Sequence, residues 1–198
     1  MVFNEEKLKE KAQIEIKKCR DGDWGHCQRV VQCVKELGKD RDDLYLLITA
    51  GYIHDIGWRD VIPPQKLTLD ELKKFEPIAN ANTEPFISDF LGSVGYSDKE
   101  IRTVVRIIKA VDSYTSNQPD EAIVVDADCL SKLCIEHIKQ KFRRDEWLNM
   151  LAFFKAEAPR RIKTEEGKKT YPKLLTSLEQ DLNREMNWVN DLIRILGI

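Results

Sequence analysis

Helical periodicity runs through nearly the whole chain, and this feature restricts the fold more than any other. Between about residues 4 and 196, apolar side chains recur every three or four positions, as they do on one face of an α-helix. The one strand-like run is AIVV at 122–125, and four residues do not make a sheet. The sequence therefore predicts an all-α fold in which residues 1–198 form a single helical domain.

Local signals predict several helix boundaries. Thr68 and Ser97 each open a capping-box sequence with a glutamate three residues later, which predicts a helix start at both positions. Residues 43–56 are apolar on almost all sides, a pattern typical of a central helix packed on most of its faces. Pro159 is expected to break a helix. The other predicted helices cover 4–18, 24–37, 84–94, 98–110, 121–141, 146–155 and about 171–196.

Composition excludes several classes of protein. With 42% hydrophobic and 33% charged residues, a chain of 198 residues can bury a core without disulfides, and disorder is disfavoured. Lys+Arg is 32 and Asp+Glu is 34, so the net charge of −2 predicts neither duplex nucleic acid nor an anionic membrane as partner. No run approaches the ~20 apolar residues of a membrane span, and a cytoplasmic location is expected.

The five cysteines do not indicate a metal or redox site. Their number is odd, and none forms a C-x-x-C pair. We interpret them as small apolar residues that stay reduced in a cytosol. They are Cys19, Cys27, Cys33, Cys129 and Cys134.

A histidine and an aspartate, His54-Asp55, end the apolar central helix just before Gly57. Burying both is costly unless each finds a partner. One explanation is structural, with Asp55 paired to Arg59 and His54 bonded to a carbonyl group. The other is a metal site, because His26 lies in the N-terminal turn of a separate predicted helix.

A third apolar segment adds carboxylates to these histidines. Asp126 and Asp128 lie about 200° apart on a helix, so only one of them can face a given point. Two imidazoles and two carboxylates make a mixed nitrogen and oxygen ligand set, which suits a divalent transition metal. Ligands from three helices can converge in the core of a bundle.

Together, these residues resemble the motif of the HD-domain superfamily of metal-dependent phosphohydrolases. The family pattern is a His near a helix start, a His-Asp pair at the end of the next apolar helix, and a distant Asp. Here the three elements are H-x-x-R-V from His26, A-G-Y-I-H-D-I-G around His54-Asp55, and D-A-D-x-L from Asp126. The resemblance covers about residues 20–140, and 141–198 would complete the helical bundle.

The resemblance implies a fold, a metal site and an activity. It implies an HD-type bundle in which His26, His54, Asp55 and Asp128 bind one divalent ion, with Asp128 chosen over its neighbour by the A-D-x-L register. The ion would be Mn, Ni, Co, Fe, Zn or Mg. Asp55 is also the candidate catalytic residue. The implied substrate is a small phosphate ester such as a nucleotide, and the sequence leaves open a homodimer.

The sequence departs from the family pattern at two places. Some subfamilies have a Glu three residues after the HD Asp as an activating base, and this chain has Trp58 there. Others add histidines for a second metal, but no histidine lies between residues 55 and 136, which disfavours a dinuclear site. The general base is therefore unassigned, and the candidates are Asp60, Glu84 and Asp112.

A phosphate substrate also requires fixed cations. Arg29 follows His26 by one helical turn and Lys109 precedes a polar loop, so both are candidate substrate-binding residues. For each, the alternative is ordinary surface charge. His137 lies in a lysine-rich stretch and is expected to be exposed to solvent.

Two other functions compete with the enzyme. One is an HD-fold sensor that binds metal and nucleotide without hydrolysis, which the loss of the Glu at position 58 favours. The other is a helical interaction protein whose HD-like residues are coincidental. Metal content separates the last from the other two, and phosphate release separates the enzyme from the sensor.

Overall fold

The computed structural model describes residues 3–62 and 65–196, which contain nine α-helices and no β-strand. The all-α prediction is confirmed, and residues 122–125 are helical. Two 3₁₀ turns, Ile56–Trp58 and Arg144–Glu146, separate helices. The helices are α1 Glu5–Ile16, α2 Asp23–Leu37, α3 Leu44–Ile53, α4 Leu69–Val94, α5 Asp98–Ser113, α6 Pro119–Ser131, α7 Ile135–Lys141, α8 Trp147–Arg161 and α9 Glu165–Leu196.

Both predicted capping boxes are confirmed. Thr68 and Ser97 each accept a hydrogen bond from the third residue of the helix, whose glutamate in turn accepts from the cap backbone. The helix that begins after Thr68 is longer than expected. It continues through Pro77 and Pro85 to Gly95, so the predicted 84–94 helix is only its second half.

Two predicted boundaries are wrong. The segment 121–141 is not one helix, because α6 ends at Ser131 and α7 starts at residue 135. The Ser131 hydroxyl donates to the Asp128 carbonyl (3.0 Å), and such a bond competes with the helical backbone. Pro159 does not end α8, which continues to Arg161. Ala158 is buried beside it, so tertiary packing outweighs the cost of the proline.

The core has two parts that share α6. One cluster of buried side chains is built from α1 to α6 and includes Val124 and Ala127. The second includes Cys129 and Leu130 together with side chains of α7, α8 and α9. Residues 120, 121 and 123–131 of α6 are all buried. The helix that carries the candidate carboxylates therefore runs between the two clusters.

The central helix α3 has the burial that its composition predicts, with every residue from Leu46 to Ile53 buried. All five cysteines are free, and Cys19, Cys27 and Cys129 are buried among apolar side chains. No helix of the described ranges is both long enough and apolar enough to cross a membrane.

Candidate metal centre

Three helices bring His26, His54 and Asp128 to one point in the interior. His26 comes from the first turn of α2, His54 caps the C-terminal end of α3, and Asp128 lies on α6. One ligand atom from each lies within 4.8 Å of the other two, and all three residues are buried. Asp128 Oδ1 is 3.0 Å from His26 Nε2 and 3.5 Å from His54 Nε2.

Asp55 adds a second carboxylate to this group. Its Oδ2 atom is 3.7 Å from His54 Nε2, and its Oδ1 atom is 2.7 Å from the guanidinium of Arg20. Arg59, the partner that the structural explanation required, is bonded instead to Glu15 at 2.9 Å. Asp55 therefore forms a salt bridge through Oδ1 and directs Oδ2 toward His54, with the Lys141 ammonium group 3.9 Å from the same oxygen.

The hydrogen bond of His54 fixes which ring nitrogen has a free lone pair. His54 Nδ1 is 3.0 Å from the Gly51 carbonyl oxygen, and a carbonyl can only accept, so Nδ1 bears the hydrogen. Nε2 then presents a lone pair. That atom is buried without a hydrogen-bond partner among the described residues, and so is Asp55 Oδ2.

Electron-pair donors thus face one another without a hydrogen between them. The His54 Nε2 lone pair lies between a carboxylate oxygen of Asp55 and one of Asp128. Burying unpaired acceptors together is unfavourable unless a cation joins them. His26, His54 and Asp128 therefore could hold a divalent cation, with Asp55 adjoining them through His54, and the mixed nitrogen and oxygen set suits a transition metal.

A hydrogen bond also orients the other imidazole. His26 Nδ1 is 3.3 Å from the Ser131 hydroxyl, which is 3.0 Å from the Asp128 carbonyl oxygen. Partners of this kind on the far ring nitrogen orient metal-binding histidines. The same serine thus contributes to the end of α6 and to the position of His26.

Asp126 points away from this group. Its Oδ1 accepts from the Lys163 backbone N–H (2.6 Å), and its Oδ2 accepts from the Thr164 backbone N–H (2.8 Å) and hydroxyl (2.6 Å). These bonds tie α6 to the start of α9. The structure therefore gives the two neighbouring aspartates different surroundings, and it is Asp128 that lies beside the histidines.

The turn after the His-Asp pair packs closely against the backbone of α4 at Gly57. A Cβ atom at Gly57 would collide with the Ala79 carbonyl oxygen and lie 2.7 Å from Thr83 Oγ1. Only glycine lets the 3₁₀ turn pack this closely on α4. The glycine that follows the His-Asp pair thus fixes where the central helix meets α4.

Burial and neighbouring charges both act on the pKa values of His26, Asp55 and Asp128, and each pKa ends below its ordinary value. Burial lowers the pKa of His26 to about 4, so this imidazole is neutral. Burial alone raises the pKa of Asp55, but Arg20 and the histidines outweigh it and bring the pKa to about 2. For Asp128, Lys132 outweighs burial, and its pKa lies well below the ordinary value. Neutral imidazole and ionised carboxylate are the forms that bind metals.

A cavity of about 200 Å³ opens onto the group. Its lining includes the four candidate ligands and cationic side chains, among them Arg20 and Lys132. It also includes apolar side chains of α4 and α8, which stand beside charged residues of the same helices such as Lys73, Glu76 and Glu157; the apolar ones include Leu69, Leu72, Met150, Phe153 and Phe154. Apolar surface combined with convergent polar groups is typical of a small-molecule site.

Of the three candidate bases, only Asp112 lines this cavity. Burial raises its pKa to about 7. Asp60 is largely exposed, with 76% of its side-chain surface accessible, and contacts Arg59. Glu84 is paired with Lys109 on the surface.

The two predicted substrate-binding cations lie outside the cavity lining. The Arg29 guanidinium donates to Gln140 Oε1 (3.0 Å) and contacts His137 Nδ1 (3.4 Å). Lys109 is exposed beside Glu84. Other cations line the cavity, among them Arg20, Lys132 and Arg161.

The expectation that His137 is exposed is wrong. His137 is 2% exposed, and its ring centroid lies 4.9 Å from that of His26. The break after Ser131 changes the helical phase, so α7 turns this residue inward. The lysine-rich composition of the segment does not reveal this orientation.

Sequence reasoning also missed Arg20 and Lys132. Lys132 Nζ is 2.6 Å from Asp128 Oδ2 and follows it by four residues, so the i,i+4 spacing was a usable signal. Burial alone lowers the pKa of Lys132, but Asp128 outweighs it and keeps that pKa above its ordinary value. Arg20 meets Asp55 only through tertiary packing.

Trp58 is buried and stacks on Arg20, whose guanidinium carbon is 3.8 Å from the indole ring. Arg20 in turn bonds both Asp55 and Asp23. Trp58, three residues after Asp55, therefore holds a cation against this candidate ligand.

Comparison with protein-family models, with curated proteins and with solved structures finds no match for this chain.

Proposed function

We propose that this chain is a metal-dependent phosphohydrolase of the HD-domain type that acts on a small phosphate ester such as a nucleotide. One observation carries the proposal. His54 Nε2 and Asp55 Oδ2 are buried without a hydrogen-bond partner among the described residues, and the His54 lone pair faces carboxylate oxygens of Asp55 and Asp128, beside His26. A purely structural cluster would pair these acceptors with donors.

The surrounding residues have the charges that phosphate-ester hydrolysis requires. A divalent ion, when bound, lowers the pKa of a water molecule and offsets negative charge on a phosphoryl oxygen. Lys132 stays protonated next to Asp128 and faces the cavity, where it can bind a phosphate oxygen. Arg20 holds Asp55 ionised and in position.

Asp112 is the residue that we assign to proton transfer. As water attacks phosphorus and the bond to the ester oxygen breaks, the water must lose a proton and the departing alcohol must gain one. A carboxyl group with a pKa of about 7 that lines the cavity can accept the proton from the water and supply a proton to the departing alcohol.

Elemental analysis of the purified protein, followed by a phosphatase and pyrophosphatase screen with Mn²⁺, Ni²⁺, Co²⁺ and Mg²⁺, tests the proposal. We expect about one divalent ion per chain, lost in Asp128→Ala. The matched control is Asp89→Ala on the exposed surface of α4, which should retain the metal. Metal-free wild-type protein, or equal metal content in the two variants, would contradict the proposed site.

The alternative function is an HD-fold sensor that binds metal and nucleotide without hydrolysis. Trp58 favours it, because a carboxylate is missing at the position where some subfamilies have their base. Nucleotide binding by metal-loaded protein without phosphate release from any ester in the screen would select the sensor.

A further inference from the structure

Arg161, the last residue of α8, lies in the cavity wall between aromatic rings. Its guanidinium carbon is 3.7 Å from the centroid of the Tyr114 ring and 5.2 Å from that of Phe153. Its side chain is 22% exposed. Stacking on two rings restricts the guanidinium plane and leaves the N–H groups at its edge free to bond other molecules.

Within the part of the chain that the structure describes, the Arg161 guanidinium forms no hydrogen bond. It forms a long ion pair with Glu157, in which Nη2 lies 3.8 Å from Oε2. Arg20, which also lines the cavity, differs in this respect, because it bonds Asp23 and Asp55 at 3.1 Å and 2.7 Å. A guanidinium that is restricted by two rings and makes no hydrogen bond is suited to an oxyanion.

Tyr114 connects Arg161 to the metal-binding group. Lys132 Nζ is 3.3 Å from the Tyr114 hydroxyl and 2.6 Å from Asp128 Oδ2. Two cations therefore contact one tyrosine, and one of them also contacts a candidate ligand. Lys132 and Arg161 thus both bring positive charge to the cavity, and Lys132 does so beside Asp128.

One part of the cavity lining, here called the apolar wall, consists of apolar side chains of α4 and α8. Leu69 and Leu72 of α4 and Met150 and Phe154 of α8 line the same cavity. The volume of about 200 Å³ is below the ~300–1,000 Å³ of most small-molecule sites, which favours a small ligand with a single phosphate.

We infer that Arg161 binds a phosphate oxygen of the substrate and that the apolar wall binds the alcohol part of the ester. The substrate class is then a small phosphate monoester of an apolar or aromatic alcohol, either a simple aryl phosphate or a nucleoside monophosphate. This inference rests on the proposed phosphohydrolase function, and it assigns to α8 the role of substrate recognition.

Calorimetric titration of the full-length protein, its metal content measured first, tests the role of Arg161. Inorganic phosphate and phenyl phosphate are the probes. Arg161→Ala should lower the affinity for both probes by about tenfold or more, since a charge-assisted hydrogen bond is lost. The control is Arg160→Ala, because this neighbour is 78% exposed and should leave both affinities unchanged. Arg161→Lys should restore part of the loss.

A second pair of variants tests the apolar wall. Leu72→Ala should lower the affinity for phenyl phosphate and for a nucleoside monophosphate by about tenfold. It should not change the affinity for inorganic phosphate. Ile78→Ala, which alters a 53% exposed residue of the same helix, is the control. If neither organic phosphate binds wild-type protein more tightly than inorganic phosphate does, the inference is overturned.

The two proposals fail in different ways. If phosphate binding depends on Arg161 but no ester is hydrolysed, this inference is supported and the proposed phosphohydrolase function is contradicted. Hydrolysis with an unchanged KM in Arg161→Ala, or equal phosphate affinity in Arg161→Ala and Arg160→Ala, would overturn this inference and leave the phosphohydrolase.

Discussion

Removing the carboxylate of Asp126 should destabilise the protein and leave its metal in place. The two oxygens of Asp126 accept three hydrogen bonds, of 2.6, 2.8 and 2.6 Å, from Lys163 and Thr164 at the start of α9. The residue is fully buried, so water cannot replace the lost acceptor in Asp126→Ala. Asp128, two residues later, faces the opposite way beside the histidines.

The size of the loss follows from these bonds. Hydrogen bonds to a charged group are each worth about 1.5–3 kcal/mol. Burial raises the pKa of Asp126 despite them, so the cost of burying the charge offsets part of that energy. We expect Asp126→Ala to lower the free energy of unfolding by ~3 kcal/mol. For a chain of this length, this corresponds to a Tm about 10 °C lower.

Circular dichroism melts with chelator present and elemental analysis without it separate the two aspartates. Asp126→Ala should melt early and keep its divalent ion, whereas Asp128→Ala should lose the ion. A wild-type Tm for Asp126→Ala, or metal loss equal to that of Asp128→Ala, would refute the assignment of structural and ligand roles.

Three further outcomes follow from the site. His54→Ala and Asp55→Ala should each abolish phosphohydrolase activity while the helical far-UV signal is retained, because the pair ends its helix; activity assays and circular dichroism check this. Because the folded-state pKa of Asp112 is raised from 3.8 to about 7, stability should fall by roughly 3 kcal/mol as pH rises from 4 to 7. Chemical denaturation with chelator present should show this loss in wild-type protein but not in Asp112→Asn. Gly57→Ala should lower the free energy of unfolding by ~1–3 kcal/mol, measured by urea denaturation, since its methyl group meets the Ala79 carbonyl.

Helix content was predictable because it depends on local information. The capping boxes at Thr68 and Ser97 act within four residues, and the apolar character of 43–56 predicts burial whatever its neighbours are. Local information failed where packing outweighed it. Pro159 remains inside α8, and the helix predicted over 121–141 breaks after Ser131.

The histidines and carboxylates of the candidate site were visible in the sequence because such side chains are expensive to bury inside apolar helices. Their order along the chain indicated His26, His54 and Asp55 as candidate ligands, together with either Asp126 or Asp128. That choice depends on helical phase, since Asp126 and Asp128 point to opposite sides of α6.

The sequence by itself determined the all-α class and the residue types that can hold a metal. Only the tertiary structure decided which cations line the cavity beside them, and these include Arg20, Lys132 and Arg161. The physical reason is that helical periodicity records which face of each helix is buried. Which faces meet is set by how α3, α6 and α8 pack, and no local pattern encodes the distance between side chains on different helices.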